Sequence, residues 1–252
     1  MNRLIIEFLA IMFAMMCIMA AIAEAQPMDK NQTLSSKQQG IIPIAAFTAN
    51  GDIEKLETAL NKGLDAGLTV NEIKEILVQL YAYTGFPRSL NGLGAFMNVV
   101  EQREKKGITD RLGKEPGKMP AGKSSIELGT EIQTRLVGKP VTGPIYAFAP
   151  AIDAFLKGHL FGDIFGRDNL DFQSREIATI SALASMKGVN PQLQAHFSVG
   201  FNTGLSELQM RGLITVLAAS VGRSEADNAS EVLDKSLKLV GAVPIVSGRK
   251  SK

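Results

Sequence analysis

Apolar residues fall at spacings of three and four along most of the chain, and stretches that alternate every second residue are few. That periodicity predicts helices and no sheet. The first helix is predicted over 38–48 and ended by Asn50-Gly51, a pair suited to left-handed turn geometry. Asp52 stands where it can cap a second helix over 53–64, in which Ile53, Leu56, Leu60 and Leu64 lie near helical spacing. Thr69 followed three residues later by Glu72 makes a capping box, each side chain taking a backbone N–H that the helix start leaves unpaired. It opens a helix over 70–83 with Ile73, Ile76, Leu77 and Leu80 on its apolar face. Gly85-Phe86-Pro87 stops that helix, and Pro87, whose fixed φ fits a first turn, begins another that runs to about 105.

Residues 107–124 mix charges with Gly107, Gly113, Pro116, Gly117, Pro120 and Gly122, the composition of a linker. Beyond it a helix is predicted from 125 and broken over 138–144, and another over 147–165 with weak points at Gly158 and Gly162. Ser174 reads as the cap of a helix over 175–186. Asn190-Pro191 opens the next, to 200 or 202, Ser206 opens one to 220, and a last helix covers 225–240. One fixed offset relates the two halves: Gly51 to Gly188, Leu56 to Leu193, Gly63 to Gly200, Gly67-Leu68-Thr69 to Gly204-Leu205-Ser206, and Leu80, Ala82 and Gly85 to Leu217, Ala219 and Gly222. A duplication explains a shared offset at so many Gly and Leu positions better than helix periodicity does, and two units are too few for a solenoid. The expected organisation is therefore a first unit over 26–106, a linker over 107–124 and a second unit over 125–245.

The first 25 residues read differently. Arg3 gives a basic start, an apolar run interrupted by Glu7 extends to Ala23, and Ala23-Glu24-Ala25 is a small-x-small cleavage site. A removed export signal is expected, with the mature chain starting at Gln26 in the periplasm or outside the cell. The rival is a membrane anchor, but Glu7 shortens the run and no basic stop-transfer segment follows. A lipid on Cys17 fits poorly, because Ala14-Met15-Met16 precede it. Cys17 is the single cysteine, so a chain cut at Gln26 carries no thiol and runs no cysteine redox cycle. With 27 basic against 25 acidic residues, no field favours nucleic acid. After signal removal no membrane association is expected either.

The stretch Gly67-Leu68-Thr69-Val70-Asn71-Glu72-Ile73-Lys74-Glu75, continued by Gln79-Leu80-Tyr81-Ala82-Tyr83-Thr84-Gly85-Phe86-Pro87-Arg88, resembles the second half of the carboxymuconolactone decarboxylase domain. Ser174-Arg175-Glu176 through Gln192-Leu193-Gln194-Ala195-His196 and Gly204-Leu205-Ser206 resembles its first half and centre, and Phe161-Gly162-Asp163-Ile164-Phe165 with Arg167 and Leu170 looks like the lead-in of such proteins. The resemblance implies an all-α fold of two alkylhydroperoxidase D-like helical units packed as a bundle. It also implies a homo-oligomer, with a trimer of tandem chains as the expectation. Family members include a cofactor-free lyase on a carboxylated muconolactone, and thiol peroxidase partners that carry Cys-x-x-Cys just before the position of His196. Here that stretch is Lys187-Gly188-Val189-Asn190-Pro191-Gln192-Leu193, so peroxidase chemistry is disfavoured.

His196 matches the family's histidine and is the first catalytic candidate, since imidazole exchanges protons near neutral pH. The alternative is a core histidine held by one hydrogen bond. Glu75 is the second candidate, against a solvated glutamate paired with Lys74 or Gln79. At the repeat offset, Ala59 stands for His196 and Gly212 for Glu75, which leaves two readings open: a composite site in which Glu75 of one unit faces His196 of the other, or decay of both. Arg175 is suited to holding a substrate carboxylate bidentately. Glu176 can serve substrate binding or only the helix dipole. Tyr83 and Arg88 flank the Gly85-Phe86-Pro87 turn and are candidates for lining a pocket. His159 has no ligand-spaced companion, so no metal is expected, and nothing calls for a cofactor. The leading expectation is a cofactor-independent lyase or isomerase on a small carboxylated or lactone-like substrate. The alternative is a non-catalytic exported helical oligomer that binds a small ligand or a partner.

Overall fold

The computed structural model describes residues 33–241, and the export-signal reading lies outside them. The described residues are helical and contain no strand. Helix α1 (Ser36–Asn50) is apolar on nearly every side, with Ile41, Ile42, Ile44, Ala45 and Ala46 all buried. A helix apolar all round belongs in the centre, and α1 has it. It packs on α2 (Ile53–Asp65), α3 (Val70–Thr84), α8 (Phe172–Ala184) and α10 (Glu207–Ser220). Pro43 lies within α1, and the helix runs on without a break from Ser36 to Asn50.

The caps read from the sequence are formed. Asp52 Oδ1 accepts from Lys55 N at 3.2 Å, and Thr69 and Glu72 close their box from both sides. Helix α4 follows as Phe86–Lys105, with Pro87 in its first turn. Near its end Arg103 binds Asp65, on the last turn of α2, and Asp110 beyond α4, each at 2.8 Å, so one guanidinium ties three segments. The second half repeats these local geometries. Gly51 and Gly188 sit at φ +82° and +80°, Gly67 and Gly204 at +97° and +95°, which only glycine adopts without strain. Ser206 and Gln209 rebuild the capping box of Thr69 and Glu72. Helix α9 (Asn190–Asn202) has the 13-residue length of α2, and α11 (Arg223–Gly241) closes the order as α4 does in the first half. One continuous core draws on both halves: Ile41, Leu60 and Leu77 share it with Ile177, Leu193 and Leu217.

Three expectations need correction, and the linker reading is refined. The segment over 107–124 is irregular but not loose: Val70 N and Asn71 N donate to the carbonyls of Arg111 and Leu112, and Lys114 and Gly117 bind Asp168. The unpaired N–H groups at the start of α3 supply the docking points. Helix α5 (Ser125–Val137) forms as read, with a Ser124–Glu127 capping box. The helix expected over 147–165 is three pieces, α6 (Pro144–Phe148), α7 (Pro150–Ala154) and a π-helix Phe155–Ile164. Pro150 lacks a donor and forces Ala149 out of helical geometry, at φ −130° and ψ 75°. The cap of α8 is Asp171 rather than Ser174, which instead donates both its N–H (2.8 Å) and its hydroxyl (3.0 Å) to that carboxylate.

Gly158 and Gly162, read as weak points, are crossing points. Helix α5 lies so close to the π-helix that a Cβ on Gly129 would fall on the Lys157 carbonyl, and one on Gly162 on the Ser125 carbonyl. Around the crossing Ile132, Leu136, Leu160, Phe161, Ile164 and Phe165 form a second apolar cluster. Gly129→Ala is expected to lower stability by about 3 kcal/mol, because backbone and not a pliable side chain must move. Urea unfolding measures it, and a loss under about 1 kcal/mol would show that the crossing relaxes.

Candidate active site

Helix α3 places Glu75, Gln79 and Tyr83 at successive spacings of four, which puts them on one face. That face lies against α8, which carries Arg175, Glu176 and Thr179. Glu75 is 1% exposed and Arg175 is wholly buried. Arg175 Nη2 donates to Glu75 Oε1 at 2.9 Å and to the Arg167 carbonyl at 2.8 Å, and Nη1 donates to Gln79 Oε1 at 2.9 Å. Gln79 returns its amide N–H groups to the Arg175 carbonyl and Thr179 Oγ1, both at 2.9 Å. From the loop after the π-helix, Arg167 Nε donates to both Glu75 oxygens (3.1 and 2.9 Å), and Asn169 Nδ2 adds a third donor at 3.2 Å. Burial pulls the Arg175 guanidinium below an arginine's ordinary value, and Glu75 pulls it back.

One turn of geometry separates a second cluster. His196, on α9, is 15% exposed, and its Nδ1 lies 2.7 Å from Oε2 of the buried Glu176 carboxylate. A carboxylate there fixes Nδ1 as the protonated nitrogen and leaves Nε2 able to take or give a proton. Tyr83 stands edge-on to the imidazole with ring centroids 5.4 Å apart. The Tyr83 hydroxyl and Glu176 Oε1 are both buried without a hydrogen-bond partner. Burial first, and the Glu176 charge second, push the Tyr83 phenol well above its ordinary value. Thr179 and Arg175 act the other way, although Thr179 completes no hydrogen bond to it. The phenol therefore stays protonated beside the imidazole throughout the physiological range.

These placements rearrange the sequence-derived roles. His196 and Glu75 lie in neighbouring clusters, but the carboxylate on His196 is Glu176. Glu75 serves Arg175, Arg167 and Asn169. Arg175 is enclosed by protein acceptors, with only its Nε left unpaired, and is not presented to a ligand. Arg88 is turned to the Ala49 carbonyl and braces α4 on the end of α1. Tyr83 does reach His196, so this cluster draws α3 from the first half of the chain and α8 and α9 from the second. At the repeat offset Gln39, Ala59 and Ser220 replace Glu176, His196 and Tyr83, and a cavity of about 290 Å³ lined by Ala59, Ser220, Phe47 and Pro43 opens there instead. In the sequence Glu176 reads either as a substrate-binding residue or as one that serves the helix dipole. The signal that could have found its role is that Glu176 and His196 both belong to the family-like stretch, one on each of two consecutive helices. Among the described residues no group of His, Cys, Asp and Glu is arranged to hold a metal.

Residues 17–97 match the model of the Carboxymuconolactone decarboxylase family, so that segment is similar to the family. The matched segment begins inside the apolar run read as an export signal and carries Glu75, Gln79 and Tyr83, while Arg175, Glu176 and His196 lie beyond it. No curated protein matches the sequence significantly.

Glu75→Gln leaves two guanidiniums facing a neutral amide in a buried setting, and is expected to cost about 3–5 kcal/mol in urea unfolding. Arg167→Gln, at a side chain 36% exposed, is expected to cost much less. Equal small losses for both would show that the seam is hydrated and not a structural constraint.

Proposed function

We propose that this carboxymuconolactone decarboxylase-like protein is a cofactor-independent lyase or isomerase on a small carboxylated or lactone-like molecule, working by proton transfer at His196. The supporting observation is the 2.7 Å contact between His196 Nδ1 and the buried Glu176 carboxylate, on a ring that keeps an exposed edge. Glu176 orients the imidazole through Nδ1, so that Nε2 acts on the substrate. In an isomerisation Nε2 removes a proton from carbon and returns it to another position. In a decarboxylation the bond from carbon to carboxylate breaks, carbon dioxide leaves, and the electron pair stays on carbon. The imidazolium proton then ends the carbanion, and solvent reprotonates the ring. Tyr83, kept neutral and edge-on to that ring, is the donor assigned to a developing oxyanion. Glu75 and Arg175 are positioning residues that hold α3 against α8.

Deuterium incorporation or carbon dioxide release from a panel of small carboxylated lactones tests this. His196→Ala should lower the rate by about 10²–10⁴ with the unfolding midpoint kept. Turnover that survives His196→Ala in a folded protein would refute the assignment.

We extend the reading to an exported homo-oligomer, with a trimer as the expectation. Among the described residues no helix is long and apolar enough to cross a membrane. Phe86 (63% exposed), Ile145 (65%), Phe148 (90%) and Phe155 (65%) supply apolar surface of the kind that subunits cover. Intact mass and light scattering of the exported protein should give a chain beginning near Gln26 and an assembly of several chains, which Phe148→Glu loosens. A single uncut chain of 27.0 kDa in solution would contradict both points.

A further inference from the structure

Outside the His196 cluster, a cavity of about 580 Å³ lies between α5 and the loop that leads from the π-helix into α8. Leu128, Ile132, Phe165 and Phe172 give it an apolar floor, and Arg135, Arg167, Glu131, Asp168 and Asp171 supply its charges. Two of the three carboxylates are paired with lysines, and the third, Asp171, is hydrogen-bonded as a helix cap and keeps its charge. Glu131 binds Lys123 at 2.6 Å, Asp168 binds Lys114 at 2.5 Å and the Gly117 N–H at 2.7 Å, and Asp171 caps α8 through Ser174. The two arginines keep donors in reserve, although Arg167 is paired with Glu75. Among the described residues Arg135 meets no carboxylate, and its guanidinium lies over the Phe172 ring, 4.7 Å from the centroid. Arg167 spends only Nε on Glu75, and among the described residues its two terminal nitrogens make no hydrogen bond. Glu75 must also neutralise Arg175, so the Glu75, Arg167 and Arg175 group carries one positive charge more than its carboxylate balances. The Phe165 and Phe172 rings stand nearly parallel at 19°.

We propose that this cavity binds a small organic anion, a single carboxylate on a flat apolar body, with the carboxylate between Arg167 and Arg135 and the body on Phe165, Phe172 and Ile132. The excess positive charge at one end asks for an anion, guanidinium forks suit a carboxylate, and the aromatic floor asks for more than an inorganic ion. The site is separate from the His196 cluster, since neither His196, Glu176 nor Tyr83 lines it.

Calorimetric titration of the whole protein with benzoate, benzamide and inorganic phosphate, joined to amide chemical-shift mapping, tests the proposal. Benzoate should bind in the millimolar range or tighter, perturb the amides of Gly166 to Phe172, and outbind benzamide and phosphate. Arg135→Gln, a change at an exposed side chain, should weaken benzoate about tenfold, and Arg167→Gln at least as much. His196→Ala should leave benzoate affinity unchanged. Failure of benzoate to bind overturns the site. Equal binding of benzamide overturns the demand for an anion, and equal binding of phosphate overturns the apolar body. Loss of benzoate binding in His196→Ala moves the ligand elsewhere.

Discussion

A single buried carboxylate, Glu75, is held between the guanidiniums of Arg175 and Arg167, and most of the functional geometry depends on that contact. Removing these charges from water costs several kcal/mol per ion, and the cost is offset only where the hydrogen bonds are complete. They are nearly complete here: Glu75 takes three donors, and Gln79 and the Arg167 carbonyl satisfy the terminal nitrogens of Arg175. Sliding α3 along α8 by one turn would separate the pair and leave both charges stranded. The pair therefore selects one register of two helices whose apolar contacts alone, leucine and isoleucine against alanine and isoleucine, would tolerate several.

That register places the rest. Gln79 lies one turn beyond Glu75 and bonds to the Arg175 carbonyl and Thr179. Tyr83 lies one turn further and meets His196, which comes from a different helix. Arg175 and Glu176 are adjacent, yet a helix turns by about 100° per residue, so the first faces α3 and the second faces α9. One dipeptide thus joins the guanidinium seam to the imidazole. The π-helix adds the last constraint. Its glycines let α5 approach to backbone contact, and the chain that leaves it carries Arg167 and Asn169 back to Glu75.

Helices, their caps and the repeat of local geometry were legible in the sequence because each rests on neighbours within about four residues. Thr69 with Glu72 and Gly67 with Gly204 needed nothing else. What failed was either competition between nearby groups or contact across the fold. Asp171 outcompetes Ser174 as a cap because a carboxylate accepts from both the backbone and the hydroxyl of Ser174. Pro150 breaks a run whose apolar spacing looks continuous. Glu75 and His196 stand out in the sequence as residues, but whether they face each other stays open there, because spacing says nothing of which helix faces which. The partner of each, Arg175 or Glu176, is decided by tertiary packing.

The uneven distribution of these groups between the halves follows from the same energetics. At the repeat offset Gly212 replaces Glu75, and Gln39, Ala59 and Ser220 replace Glu176, His196 and Tyr83. A second set of buried ions would carry a second desolvation cost of several kcal/mol per ion, comparable to the whole margin of about 5–15 kcal/mol by which domains are stable. Keeping one charged seam and one small-residue counterpart avoids that cost, and the counterpart is left as a cavity with alanine and serine on its wall. The asymmetry also concentrates the unanswered positive charge at one place, the Arg167 end of the seam, where the fold opens toward solvent. A symmetric arrangement would divide that charge between two ends of the bundle. The asymmetric one leaves Arg167 and Arg135 lining one cavity, together with the Phe165 and Phe172 rings that the end of the π-helix and the start of α8 bring near each other.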